Sequence, residues 1–551
     1  MESKLSRRSF LGLGGAAAAA VAVSGLTGCA PAAPAAQEEN LAGTGANSAA
    51  AAADYKAAPA PITDDQIGST IEADIVVVGG GISGAVAAAT AAEAGKKVVV
   101  LQKAATALSH GSGAAAWNSK AQNEIGADFD PWEVVTEWTR RGENRADLRL
   151  LKTWIYNSGP TMDWAMALTG DVEGVGPALV VDTTKMEYPD EHNRCYPCVH
   201  MWVGEMQALA QWFLDYTEEH GGQVLYSTPA VQLVRDDNNT GRVSAAIGKD
   251  ADGQYVKATA TDGVILAAGD YGNNEAMRAE YLPHATGLKS AYSQPEVNTG
   301  DGQLMGMWVG GKMQLAPHCS NIHYDPPIDV PDIAGSGEPW LFVNKNGERF
   351  CNEDMTYGQL YAQDVLQPEC MHFQVFDDNY RTDWEDMGSG MMKKEPPVDI
   401  VASTEAGVEN GDVFKADTIE ELASAMGVPA DALKATVDRY NVLCDAGYDD
   451  DFGKQAGRLK PVKKAPFYAV QRRAGVLCTL NGIETDERCR ALDENREVID
   501  GLFCVGNCQG NFFGGLEHQM FIPGMSLGRA MTTGRVAGLV ASGQEIAGGR
   551  I

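Results

Sequence analysis

The chain has 551 residues, with 43 Lys and Arg against 74 Asp and Glu, a formal net charge of −31. So acidic a chain lacks the basic face that tracks phosphates, which excludes a nucleic-acid binder. With 44% hydrophobic residues it can bury a core, and eleven cysteines without regular spacing are too sparse for a disulfide scaffold. Length alone suggests roughly three or four units of about 150 residues, or fewer large ones. The 62 glycines point to tight turns or close backbone contact with a ligand.

Arg7 and Arg8 precede a weakly apolar run, Gly12 to Ser24, rich in Ala and Gly. A twin-arginine pair before such a run marks the export route for already folded proteins. The run closes on Leu26-Thr27-Gly28-Cys29, which resembles a bacterial lipobox, where cleavage before the cysteine leaves it lipidated. A membrane-spanning helix is the plainer alternative, but it needs about 20 apolar residues, more than this run or any other supplies. Residues 1–28 are therefore read as a signal, and 29–69 as a tether. The Ala, Pro, Gly and Ser of the tether bury too little apolar surface to offset ordering entropy. The mature protein is expected on the outer face of the cytoplasmic membrane, touching it only through lipid at Cys29. Cleavage removes Lys4, Arg7, Arg8 and Glu2, leaving the mature chain still more acidic. Export in the folded state would let a cofactor be loaded beforehand.

Asp74-Ile75-Val76-Val77-Val78 has the character of a buried strand and leads into Gly79-Gly80-Gly81-Ile82-Ser83-Gly84. An Ala-rich helix from Ala85 to Glu93 and a second strand, Lys97 to Leu101, follow. Strand, G-x-G-x-x-G, helix and strand in this order form a dinucleotide-binding unit. Gly79 permits the turn, Gly81 admits a pyrophosphate to the backbone and Gly84 lets the helix pack on the strand; Ser83 lies at the helix start. An acidic residue at the end of the second strand would bind ribose hydroxyls. Here it is Gln102, whose amide can still accept and donate.

From here the sequence resembles the flavoprotein-subunit family of fumarate reductases and succinate dehydrogenases, with their urocanate reductase and 3-ketosteroid dehydrogenase relatives. The resemblance runs in order from Asp74 to about Ala541. It rests on Val264-Ile265-Leu266-Ala267-Ala268-Gly269 followed by Asn273-Asn274-Glu275; on Thr299-Gly300-Asp301-Gly302; and on Leu341-Phe342-Val343-Asn344 through Arg349-Phe350-Cys351-Asn352-Glu353. It continues with Gly501-Leu502-Phe503-Cys504-Val505-Gly506-Asn507 and Pro523-Gly524-Met525-Ser526-Leu527-Gly528. The resemblance implies an α/β fold: a discontinuous Rossmann-like FAD-binding domain, about 70–315 and 474–551, with an inserted α+β capping domain at 316–473. It implies FAD held by Gly79, Gly81, Ser83, Gly84, Gln102, His110, Gly111, Ala268, Gly269, Asp301, Asn507, Ser526 and Leu527, with substrate between flavin and cap. The helix opening at Ser526 would aim its N-terminal amides at the flavin, where they would stabilise the anionic reduced form.

Departures from the family shape the expected chemistry. Where fumarate reductases carry an Arg proton donor, four residues after Glu353, this chain has Tyr357, as in the 3-ketosteroid dehydrogenases. A phenol can give the proton while flavin N5 delivers hydride to the other carbon; the alternative is an aromatic that only packs the cap. Cys478 stands where the family's substrate-carboxylate His lies, and the clamping Arg near the last helix falls at about Phe521. Asn507 stands where reductases carry Glu. Two lost cations disfavour fumarate and favour a more neutral enone or acrylate, with Phe512, Phe513, Met520 and Phe521 as an apolar wall or else as ordinary core. Tyr357, Glu353 and Cys478 are the catalytic candidates.

His110 lies eight residues after Gln102, a spacing at which succinate dehydrogenases attach FAD covalently. It is expected to touch FAD noncovalently, with a covalent bond as the second reading. Cys195-Tyr196-Pro197-Cys198-Val199-His200 invites three readings: structural or disulfide, metal or cluster, and redox shuttle. Val199 breaks the c-type haem motif, and no metal site is assigned. The expected activity is FAD-dependent reduction of an activated C=C bond, with electrons from a separate donor such as a membrane-bound or multihaem cytochrome. The alternatives are the reverse, 3-ketosteroid-type dehydrogenation, and a flavin electron carrier.

Overall fold

The computed structural model describes residues 55–176, 179–180, 196–290, 294, 296–325, 338–355, 357–387, 400–516, 518 and 521–548. The twin-arginine leader, residues 29–54 of the expected tether, Cys195 and Met520 lie outside the described residues, as does the side chain of Tyr357. The tether's last residues, 55–69, are ordered, and its end, Ile67 to Ser69, already belongs to the first strand. Among the described residues no helix is long and apolar enough to cross a membrane.

The unbroken β-branched run closes strand β1 (Ile67–Val78), with Ile75, Val76 and Val77 wholly buried. Such a run needs cover on both faces. Helix α1 (Ile82–Glu93) supplies part of it and is itself buried from Ile82 to Ala92, so it shows no polar stripe. Its alanines keep it thin enough to sit between the sheet and a second helix. β2 (Val98–Leu101) pairs parallel with β1, Val76 opposite Val99.

Further along are β3 (Gln223–Leu225), β4 (Tyr255–Leu266), α2 (Asp301–Trp308), β5 (Ser320–Asp325), β6 (Leu341–Val343), α3 (Tyr357–Asp364), β7 (Met371–Asp377), β8 (Phe467–Thr479), β9 (Val498–Cys504) and α4 (Met525–Ala541). The main sheet runs in space as strand 490–492, β9, β4, β1, β2, β3, with strands 230–235 and 243–249 folded onto it beside β4. From β9 to β3 every neighbouring pair is parallel. The strands' carboxyl ends therefore share one edge, and the loops after β9, β4, β1 and β2 are brought together there, the usual place for a ligand in such a sheet. α4 lies along α1, with Gly534 and Gly538 set against Ser83 and Ala87.

The second sheet is built around β8, antiparallel to β5 and β7, with β6 beyond β7. Leu341, Val343, Phe373, Val375, Leu433 and Ala469 form its own core with the helices behind it. β8 runs unbroken across residues 473–474 and delivers Cys478 and Thr479 to the edge of the main sheet, opposite Asn321 and Ser320 of β5.

Candidate active site

A cleft of about 320 Å³ lies at that shared edge, within the usual range for small-molecule sites. One side is the turn from β1 into α1. Gly79 has φ +103°, and a Cβ there would sit 2.5 Å from the Ala267 carbonyl oxygen; a Cβ on Gly84 would sit 1.9 Å from the Gly79 carbonyl oxygen. Only glycine permits either approach. Gly79, Gly81 and Ser83 line the cleft at the N-terminus of α1, whose free amides and dipole favour an anion. Gly84 does not line it and serves the packing of helix on turn.

Gln102 lines the cleft and is 4% exposed. Its Oε1 accepts the Gly80 N–H at 2.9 Å and its Nε2 donates to the Thr106 carbonyl at 2.6 Å. The amide expected on a ribose thus also braces the glycine turn, and only its second lone pair and second hydrogen are left for a ligand. Asp301 accepts from Lys103 at 3.0 Å and from the Thr299 hydroxyl at 2.9 Å. It lines the cleft with that lysine held against it.

Opposite α1, helix α4 begins after Gly524 with no side chain capping it, and Gly524, Ser526 and Leu527 line the cleft. Two helix N-termini therefore converge on one cavity. His110 lines it and Gly111 packs against Leu527; partial burial lowers the His110 pKa, keeping the ring neutral. Ala268, Gly269 and Asn507 complete the floor. Gln303 of α2 donates to the carbonyls of Gly269 and Asn507 at 3.0 and 2.9 Å, clamping the loops after β4 and β9 together.

The three catalytic candidates part company. Cys478 lines the cleft, and Tyr357 is the first residue of α3. Glu353 is not among the residues lining the cleft. Its wholly buried carboxylate accepts both prongs of Arg349 at 2.8 Å and the Phe342 N–H at 3.2 Å, with Lys454 Nζ 3.4 Å away. Arg349 also grips Asp449, whose carboxyl burial would raise, but which the guanidinium and backbone N–H groups hold at about 2. Glu353 is thus an interior ion-pair residue of the second sheet's unit rather than a catalytic group, as its spacing before Tyr357 had suggested.

For its described members the aromatic cluster takes the second of its two readings, ordinary core. Phe512, Phe513 and Phe521 are at most 2% exposed and pack on Trp138, at ring separations of 5.6, 5.3 and 5.8 Å, as core. Of the Cys-x-x-Cys stretch, Cys198 is buried with its thiol toward the Pro523 carbonyl. His200 is fixed by Ser119 at 2.7 Å and the Cys198 carbonyl at 3.0 Å.

Residues 74–519 match the FAD binding domain family. The chain belongs to that family. Over 488 residues it is 28% identical to a vinyl phenol reductase of Lactiplantibacillus plantarum, covering 84% of this chain and 95% of that protein. It is 30% identical over 379 residues to a 3-oxosteroid 1-dehydrogenase of Mycolicibacterium smegmatis, 61% of this chain and 62% of that one. The open structure of a flavocytochrome c3 fumarate reductase superposes with a TM-score of 0.65 over 87% of this chain and 79% of its own, at 23% identity, a likeness of fold.

The chain is an FAD-dependent oxidoreductase, and the cleft fits FAD: a glycine turn without room for side chains, two uncapped helix starts and a partly free Gln102. Four residues at the site were not singled out from sequence. Asn321 of β5 and His518 line the cleft, brought in by strand pairing and by a loop that carry no motif. Burial, aided by the positive charge of Arg529, lowers His518 to about 4. Asp270 lines the cleft directly after Gly269, and Arg529, wholly buried in α4, donates to Asn507 Oδ1 at 2.5 Å. An acid beside the Ala268-Gly269 turn and an arginine inside an otherwise small, apolar helix stretch were the available signals.

Proposed function

We propose that the protein reduces an activated C=C bond of a substrate without a carboxylate pair, such as a vinyl phenol or enone. The observation that carries this is the character of the wall around Cys478. Among the described residues that end of the cleft presents Asn321, Cys478 and a neutral His518. The cation lining the cleft elsewhere, Lys103, is taken by Asp301. A dicarboxylate entering here would lose its hydration and meet no cation on this wall, since Arg529 is wholly buried and does not line the cleft, a cost of several kcal/mol per ion. A substrate polarised by one carbonyl or phenol avoids that cost. The vinyl phenol reductase, matched along nearly its whole length, supports the same substrate class.

Bound FAD supplies the hydride. The chain's own part is to orient the alkene against it, exclude water and provide the proton to the second carbon. We assign that proton to the phenol of Tyr357, at the N-terminus of α3. Tyr357→Phe is expected to lose at least about 100-fold in turnover with FAD content unchanged; unchanged turnover would remove Tyr357 from the mechanism. Electrons come from a separate protein donor, and a chain this acidic, of net charge −31 over its full length, suits a basic partner. We further place the enzyme outside the cytoplasmic membrane, tethered by lipid at Cys29. Cys29→Ser would then release it from the membrane fraction, and retention would contradict the tether.

A further inference from the structure

The floor of the cleft holds a charge arrangement that neither FAD binding nor the proposed proton donor uses. Asp270 lines the cleft and is 3% exposed. Its Oδ1 accepts the Gly272 N–H at 2.6 Å, and the Thr479 backbone and the Asn507 side-chain amide lie near enough to favour its charged form. The same Asn507 amide accepts from Arg529 Nη2 on its oxygen. A carboxyl and a guanidinium thus neighbour one amide, and Asn507 itself lines the cleft.

Arg529 is an unusual partner. Its side chain is fully buried, it has no carboxylate partner among the described residues, and its Nε finds no acceptor there. Carbonyls of Leu480 and Gln509 and the rings of Phe512 and Phe513 surround it. Burial lowers its pKa, but only to about 10, so it stays charged at neutral pH. A buried cation answered only by neutral dipoles and by the acid beside the same amide makes the net charge of the floor depend on Asp270.

We propose that Asp270, Asn507 and Arg529 form a redox-linked proton site, in which Asp270 binds one proton when the cofactor in the cleft is reduced and releases it on reoxidation. Two electrons from the external donor reach the cofactor with whatever protons its own ring takes. One further proton from bulk water converts the Asp270 carboxylate to the acid, and reoxidation returns it. Negative charge arriving in a low-dielectric cleft disfavours a neighbouring carboxylate, which drives the uptake.

Burial already pushes the Asp270 carboxyl up to about 7, against the lowering influence of the Gly272 N–H and of the neighbouring Thr479 and Asn507 groups. The other ionisable groups facing it are Tyr271 on its own loop, Cys508 on the turn after β9 and, through Asn507, Arg529 on α4. Burial holds the Tyr271 phenol well above its usual value and the Cys508 thiol at about 12, so both stay neutral. Asp270 is the member of this group that titrates near neutral pH.

The test is the midpoint potential of FAD in the full-length holoenzyme, measured with redox mediators from pH 5.5 to 8.5, and needs no organic substrate. Below about pH 7 Asp270 is protonated in both redox states and adds nothing to the slope. Above it, one extra proton per two electrons steepens the slope by about 30 mV per pH unit. In Asp270→Asn the break should vanish, and in Arg529→Gln it should move to higher pH because the cation no longer favours the carboxylate. A straight wild-type line, or a break that survives in Asp270→Asn, would overturn the proposal. Should a variant fail to bind FAD, reduction-minus-oxidation infrared spectra of the wild type decide. A protonated-carboxyl band must appear on reduction above pH 7 and shift in D2O, and its absence would equally refute the site.

Discussion

Replacing Glu353 by Ala would leave buried Lys454 without its nearby carboxylate and Arg349 with Asp449 as its one remaining acid partner among the described residues. Breaking a buried pair in this way costs about 3–5 kcal/mol. Glu353→Ala should therefore lower the unfolding midpoint sharply, while Glu353→Gln, wherever it folds and binds FAD, keeps its turnover per flavin. A large kcat loss in well-folded Glu353→Gln would restore a catalytic role. The residue's conspicuous place before Tyr357 was legible in the sequence; that its charge is consumed inside its own unit was not, because Asp449 and Lys454 lie about a hundred residues away. The same holds for Asn507, which motif order places beneath the flavin, whereas its bond to Arg529 and its place beside Asp270 depend on how three separate segments meet.

At the scale of elements, the crossing of α1 with the turn that precedes it is the tightest joint of the cofactor cradle. A Cβ on Gly84 would fall 1.9 Å from the Gly79 carbonyl oxygen, backbone that cannot swing aside. Gly84→Val should thus cost at least about 2 kcal/mol by overpacking and abolish FAD retention on gel filtration; a variant that holds FAD as tightly as wild type would contradict this geometry. β1, α1, β2 and the last helix were readable from the sequence because buried strands and glycine turns leave local patterns. The pairing of β5 with β8 was not, since residues 320–325 and 467–479 are brought together only by the second sheet. That pairing sets Asn321 beside Cys478 and defines the uncharged end of the cleft. The aromatic cluster at 512–521 misleads for a related reason: composition marks it as apolar, and only packing on Trp138 tells core from wall.

Over the whole molecule, buried titrating groups set the response to pH. Burial holds His200, His318 and His518 at about 4, below the unfolded value near 6.5. The unfolded chain takes up these protons first, so their stabilisation is complete above about pH 6.5 and is lost as pH falls toward 4. Asp270 acts in the opposite sense. Raised to about 7, its contribution is present below about pH 4 and is lost as pH rises through 7. Three groups outweigh one, so the urea midpoint of the flavin-free protein should fall between pH 6.5 and 4. Asp270→Asn should gain on wild type above pH 7, and a midpoint that does not change from pH 6.5 to 4 would contradict the buried neutral histidines. The acidic composition that first excluded nucleic acid now belongs to the surface of a flavoenzyme whose cleft is largely uncharged where substrate is proposed to bind.

That contrast can be measured directly by anaerobic stopped-flow reoxidation of the reduced holoenzyme with 4-vinylphenol, a cyclic enone, acrylate and fumarate in parallel. The vinylphenol or the enone should reoxidise the flavin at least about 100-fold faster than fumarate, consistent with the several kcal/mol of unmatched charge a dicarboxylate would bring. Fumarate as the fastest acceptor, or no reoxidation by any of the four, would contradict the account.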